Sequence, residues 1–132
     1  FDDDAPEILT ARGERVRSKS EAIIADTLFR LSIPYKYESP MQLRDAKAKG
    51  GKRTFCIFPD FTCLNVRLRR EFVWEHFGLM DSPSYIENAS SKINLYASSG
   101  ITPGIRLITT YETKNQPLNP ELIEMYINYH FS

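Results

Sequence analysis

Apolar residues recur at Ile24, Leu28 and Leu31 with polar positions between them, directly after Ser18-Lys19-Ser20-Glu21, a match to the S-x-x-E capping box. The spacing predicts a helix that stops before Pro34. "YKYESP" reads as a short strand closed by Pro40, and "RDAKAKGGKR" as a basic, glycine-containing loop. "RTFCIFPDFTCLNV" reads as one or two strands around Pro59-Asp60, and "RLRR" as an exposed turn into "EFVWEHFG", a hairpin with both arms partly buried. A second helix is predicted from Ser82 or Pro83 to Ser99, with Gly100 as its stop. "GIRLITTYE" is a further strand. "NPELIEMYINYHF" is a third helix with an Asn cap, Pro at its first position and apolar residues at Leu122, Met125, Tyr126 and Tyr129.

The order is helix, three or four strands, helix, strand, helix. It implies a mixed α/β fold of three layers, with a mixed central sheet of four to five strands between helices. The late strand-helix-strand unit requires one parallel crossover. Residues 1–17 are polar, with Pro6 and Gly13, and are expected to form an arm or linker, with a short helix as an option, leading into a domain over residues 18–132.

Composition narrows the classes. With 132 residues, 42% of them hydrophobic, the chain can bury one core. Formal net charge is zero, so no global basic field marks a nucleic-acid binder, although a cleft can act locally. No apolar run approaches the roughly 20 residues of a membrane span, and no leader pattern precedes the first helix, so a cytoplasmic protein is expected. Cys56 and Cys63 flank the Pro-Asp pair without a second pair to make a zinc knuckle, and are expected to be reduced packing residues. The start at Phe1 suggests a piece of a longer protein with further domains, a cleaved tag being the alternative.

Three acids fall in segments that read as buried. Burying an unpaired carboxylate costs several kcal/mol or forces protonation, so each needs a partner. Glu21 lies one turn ahead of the apolar stripe, where it also fits the capping box. Asp60 follows Pro59, a common turn pair, and Glu75 sits near the end of the next strand. Two carboxylates at one sheet edge suit a hard divalent ion, which keeps water and phosphate as its other ligands.

This order, together with "RSKSE", "PDFT", "WEHFG", "GI" and "TYET", resembles the PD-(D/E)XK nuclease superfamily, the restriction-endonuclease-like fold, over about Arg17 to Thr113. The resemblance implies an αβββαβ core, Asp60 and Glu75 as metal ligands for Mg2+ with Mn2+ as substitute, and Glu21 as a supporting acid. The pattern departs at the family's lysine, two residues after the second acid, where Phe77 stands. Some members supply the lysine from the following helix, and Lys92 is the candidate here, on one face with Tyr85, Asn88 or Ala89, and Tyr96. His76, which adjoins Glu75, is the rival of Lys92 for the catalytic role, but it points to the opposite strand face, which suits packing or a supporting contact. His130 reads as a surface or packing residue.

The expected activity is metal-dependent hydrolysis of DNA phosphodiesters, with RNA as an alternative substrate. The rival is a nucleic-acid-binding or structural domain that has lost its lysine. Backbone phosphates would meet Lys47, Lys49, Lys52 and Arg53 in the basic loop, Arg67, Arg69 and Arg70 at the hairpin, or Arg12, Arg15, Arg17 and Lys19. Tyr85, Tyr96 and Tyr111 could stack on splayed bases, or pack in the core. Endonuclease and exonuclease action, and oligomeric state, are left open by the pattern.

Overall fold

The computed structural model describes residues 1–44 and 53–132. Three strands follow the first helix before the second begins, as far as the main sheet is concerned. Helix α1 (Lys19–Arg30) precedes a four-stranded sheet of β3 (Tyr35–Tyr37), β6 (Phe61–Asn65), β7 (Arg70–Phe77) and β8 (Leu107–Tyr111), in that spatial order. Two-residue strands β1 (Ile8–Leu9) and β2 (Arg15–Val16) come before α1, and β4 (Met41–Arg44) and β5 (Thr54–Ile57) lie between β3 and β6. Helices α2 (Pro83–Ser98) and α3 (Pro120–Phe131) complete the chain.

The first three strands of the main sheet pair antiparallel, whereas β7 and β8 run parallel and are joined through α2. The expected crossover is therefore present. The single segment around Pro59-Asp60 divides: β5 pairs with β4 in its own ribbon and β6 joins the main sheet.

Side chains of a strand alternate between its faces, so the sheet carries two cores. Trp74, Phe72, Phe61, Cys63 and Ile108 pack against Ile24, Ala25 and Leu28 of α1 and Ile123 and Ile127 of α3. Val73 and Leu107 face the other way, onto Tyr96, Ile101 and Leu43, with α2 and the β4–β5 ribbon as cover. Fully burying a side chain of this size contributes roughly 1.5–3 kcal/mol.

Caps fix the helix ends. Ser18 accepts the Glu21 backbone N–H, Ser82 that of Tyr85 and Asn119 that of Glu121. Helix α2 stops in a Schellman arrangement: the Gly100 N–H bonds Ala97 O, the Ile101 N–H bonds Tyr96 O, and Gly100 takes φ +89°, which a side chain would oppose.

Three expectations change, and one lies beyond the described residues. No helix forms in residues 1–17; β1 and β2 pair as a ribbon against α1, with Val16 and Thr10 buried. Two-residue strands are too short to show a period. The buried face of α3 runs through Ile123 and Ile127, leaving Met125 and Tyr129 exposed, because α3 packs along the α1 side of the sheet. Both cysteines are free and Cys63 is buried, but Cys56 is exposed on the outer face of the small ribbon. The basic residues Lys47, Lys49 and Lys52 lie outside the described residues. No helix is long and apolar enough to cross a membrane, among the described residues.

Candidate functional site

The β6–β7 ladder ends at Phe61↔Trp74, and the next pair along would be Asp60 and Glu75. Side chains continue the ladder there. The Asp60 N–H donates to Glu75 Oε1 at 3.3 Å, and the His76 N–H donates to Asp60 Oδ2 at 2.8 Å. The two acids are thereby held side by side where the strands part.

Glu75, 2% exposed, projects toward α2. Its Oε1 also accepts the Tyr96 hydroxyl at 2.7 Å, and its Oε2 meets Lys92 Nζ at 2.9 Å. Tyr96 and Lys92 stand one turn apart on α2, so a helical spacing brings both donors to one carboxylate. Burial and the nearby Glu75 charge raise the Tyr96 pKa, keeping the hydroxyl a donor. The Schellman stop fixes that donor, since Tyr96 supplies the carbonyl that Ile101 caps.

Asp60 is the electrostatically stressed member. Burial first, and the Glu75 charge second, push its carboxyl up to about 8, against the His76 N–H and Lys92, which favour the ionised form. Oδ2 is anchored by the His76 amide, while Oδ1 takes no hydrogen bond from a described residue.

Glu21 reaches the same hollow from α1. A cavity of about 210 Å³ is lined by Glu21, Asp60, Glu75, His76, Phe77, Tyr85, Asn88, Ala89 and Lys92. Glu21 Oε1 is already engaged by the Tyr37 hydroxyl at 2.6 Å and the Arg17 N–H at 3.1 Å. Its capping-box role is thus half kept: Ser18 caps Glu21, and Glu21 turns back to Arg17 instead of Ser18. Among the described residues, no three His, Cys, Asp or Glu side chains are grouped to hold a metal. A hollow of about 250 Å³ beside β3 carries only Lys36 and Glu71 as charged lining, on no common focus of acids.

Phe77, in the position expected of a lysine, lines the cavity and stacks on Tyr111 with centroids 5.5 Å apart. Tyr111 is exposed and Tyr85 half-buried, but Tyr96 is fully buried and bound to Glu75, so it cannot stack on a base. The hairpin arginines are not brought to the acids. Arg69 and Arg70 lie with Arg106 and Glu71 around an open hollow at the far end of β7, about 17 Å away at roughly 3.3 Å per residue. Arg53, exposed, covers the Phe55 ring at 4.8 Å. Arg12 lies over Tyr35, while Arg15 and Arg17 lie over Phe1, and Arg17 also pairs with Glu38.

On the opposite face of β7 is a group the pattern did not bring out. His76 Nε2 lies 2.6 Å from Glu112 Oε1, and Nδ1 lies 2.8 Å from Thr110 Oγ1, which accepts the Trp74 indole N–H at 3.2 Å. Ser20 on α1 donates to the same Glu112 oxygen. Partial burial alone would raise the Glu112 pKa; the Ser20 hydroxyl and His76 outweigh it and lower the value. With Glu112 ionised, the consistent assignment has Nε2–H donating to Glu112 and Nδ1 accepting the Thr110 hydroxyl. "TYET" held the signal: Glu112 follows Thr110 by two, on the face His76 occupies. His130, half-buried, packs among Phe72, Tyr129 and Phe131, the packing side of the two readings.

No family model matches the chain, and no solved structure matches it. Among curated proteins, the uncharacterized protein MJ1519 of Methanocaldococcus jannaschii is 34% identical over 79 residues, covering 60% of this chain. The aligned stretch spans about 6% of that relative's length.

Proposed function

We propose that the domain is a metal-dependent nuclease of the PD-(D/E)XK type, hydrolysing DNA phosphodiesters, with the lysine supplied from α2. The observation that carries this reading is the Lys92 ammonium 2.9 Å from the buried Glu75 carboxylate, in a cavity that Asp60 and Glu21 also line. The reading is supported by the order of helices and main-sheet strands, α1, β3, β6, β7, α2, β8 with the β4–β5 ribbon set aside, which is compatible with the αβββαβ core that the resemblance implies.

The donor set fits Mg2+, for which one or two carboxylates plus water and phosphate suffice. Asp60 Oδ1 and a remaining lone pair of Glu75 would hold it, and Mn2+ would substitute. When bound, the ion lowers the pKa of a water and neutralises phosphate charge. The chain's own residues orient and compensate. The His76 amide fixes Asp60, Tyr96 fixes Glu75, and Lys92 offers a cation to the charge that develops on the phosphate. Phe77 closes one wall without donating a hydrogen bond.

Asp60→Ala and Glu75→Ala should each lower Mn2+-dependent cleavage of single- and double-stranded DNA by about 100-fold or more, with circular dichroism unchanged. Full activity in either variant ends the reading. A wild-type protein that binds DNA with a steep salt dependence but cuts neither DNA nor RNA would instead favour the binding module, which Phe77 in the lysine position already suits.

A further inference from the structure

We propose that Glu112 is a positioning residue of this site, acting through the His76 ring on the Asp60 carboxylate. The inference takes from the nuclease reading only what Asp60 is held for. The His76 side chain is 2% exposed and both ring nitrogens are bonded, to Glu112 and to Thr110, so the ring cannot turn without losing two hydrogen bonds in a closed space. A locked ring fixes the residue that bears it. The backbone N–H of His76 is the described donor to Asp60 Oδ2, at 2.8 Å.

One residue thus faces both ways. Its ring is held by β8 on the α1 side, and its amide holds an acid on the α2 side. The same Glu112 oxygen accepts the hydroxyl of Ser20, the residue before Glu21, so a single carboxylate oxygen links α1 and β7, the elements that carry Glu21 and Glu75. A histidine needed only for packing would not require a charged anchor just past the end of β8 and a tie to α1. Groups that orient ligating carboxylates in this way typically change activity or metal affinity by 10–100-fold when removed.

Two readouts on the 132-residue protein test it. In the metal-free protein, Glu112→Ala should move the His76 amide proton upfield as its bond to Asp60 loosens, while Glu112→Gln, which keeps an acceptor oxygen, should hold it near the wild-type position. With Mn2+ and DNA, Glu112→Ala should lower kcat about 10-fold with KM within about twofold, and Glu112→Gln should recover most of it. Ser20→Ala, at a half-buried site in the first turn of α1, gives the same direction with a smaller amplitude if Glu112→Ala does not fold. An unmoved amide, or a wild-type kcat in Glu112→Ala or, where that variant does not fold, in Ser20→Ala, overturns the proposal. An amide that moves in a protein that cuts no nucleic acid overturns the nuclease reading and leaves the Glu112–His76–Asp60 linkage standing.

Discussion

The two ends of the β6–β7 hairpin carry charge in opposite ways. At the turn, Arg69 and Arg70 are exposed to water around an open hollow, and a solvated guanidinium there costs little and contributes little. At the other end Glu75 is sealed beneath α2 with three donors on two oxygens, and Asp60 beside it is kept from its ordinary ionisation. The same length of ladder therefore ends once in charges that folding barely notices and once in charges that folding must hold against their tendencies. Only the second arrangement needs dedicated partners on other elements, and it is the one with a cavity where acids from three elements meet.

Removing the cation should produce the largest stability difference between the ends. Lys92→Met leaves Glu75 without its ion partner; breaking a buried pair costs about 3–5 kcal/mol, and Lys92 at 35% exposed should fall below that, at about 1–2 kcal/mol. A fall of roughly 3–10 °C in the thermal midpoint is expected. An unchanged midpoint would mean the acid end is no more demanding than the turn.

The pH response sharpens the contrast next. Because the folded Asp60 carboxyl titrates near 8 and an unfolded one near 3.8, the metal-free native state holds a proton the unfolded chain lacks across that window. Stability from this group is present below about 4 and is lost as pH rises toward about 8. Asp60→Asn should flatten that decline and melt higher than wild type at pH 8.5 in EDTA; an identical pH profile for the two proteins would remove Asp60 as its source.

The smallest effect is expected at the turn. Arg69→Gln and Arg70→Gln should each leave stability within about 0.5 kcal/mol, by urea denaturation. If either touches phosphate, the slope of log affinity for DNA against log salt falls by about 1 per arginine; an unchanged slope assigns the turn to solvent alone.

Periodicity made the helices and the hairpin legible, because α1, α2 and the β6–β7 arms each bury one face over enough residues for a period to show. The face of α2 that gathers Tyr85, Ala89, Lys92 and Tyr96 was legible for the same reason, and the cavity does collect Tyr85, Ala89 and Lys92. The sequence leaves Tyr96 between stacking on a base and packing in the core because spacing gives a direction but not a depth; the Schellman stop pins it inside. Glu112 escaped notice because its partners, His76 and Ser20, lie 36 and 92 positions away and meet it only once β8 has docked parallel to β7. The β1–β2 ribbon and the buried face of α3 were hidden alike, since what covers them is settled by tertiary packing.

Carrying the ammonium on α2 instead of β7 changes how the site can be tuned. A strand offers a binary choice, one face or the other, and moving a side chain by one residue reverses it. A helix behaves more like a sliding fixture. Asn88 and Lys92, four residues apart, both line the cavity, and a residue at either station sits about 6 Å along the axis from the other. The sheet can then keep its register rigid while the depth at which a positive charge enters is adjusted on a separate part, so that the acids and their counter-charge answer to different mechanical constraints.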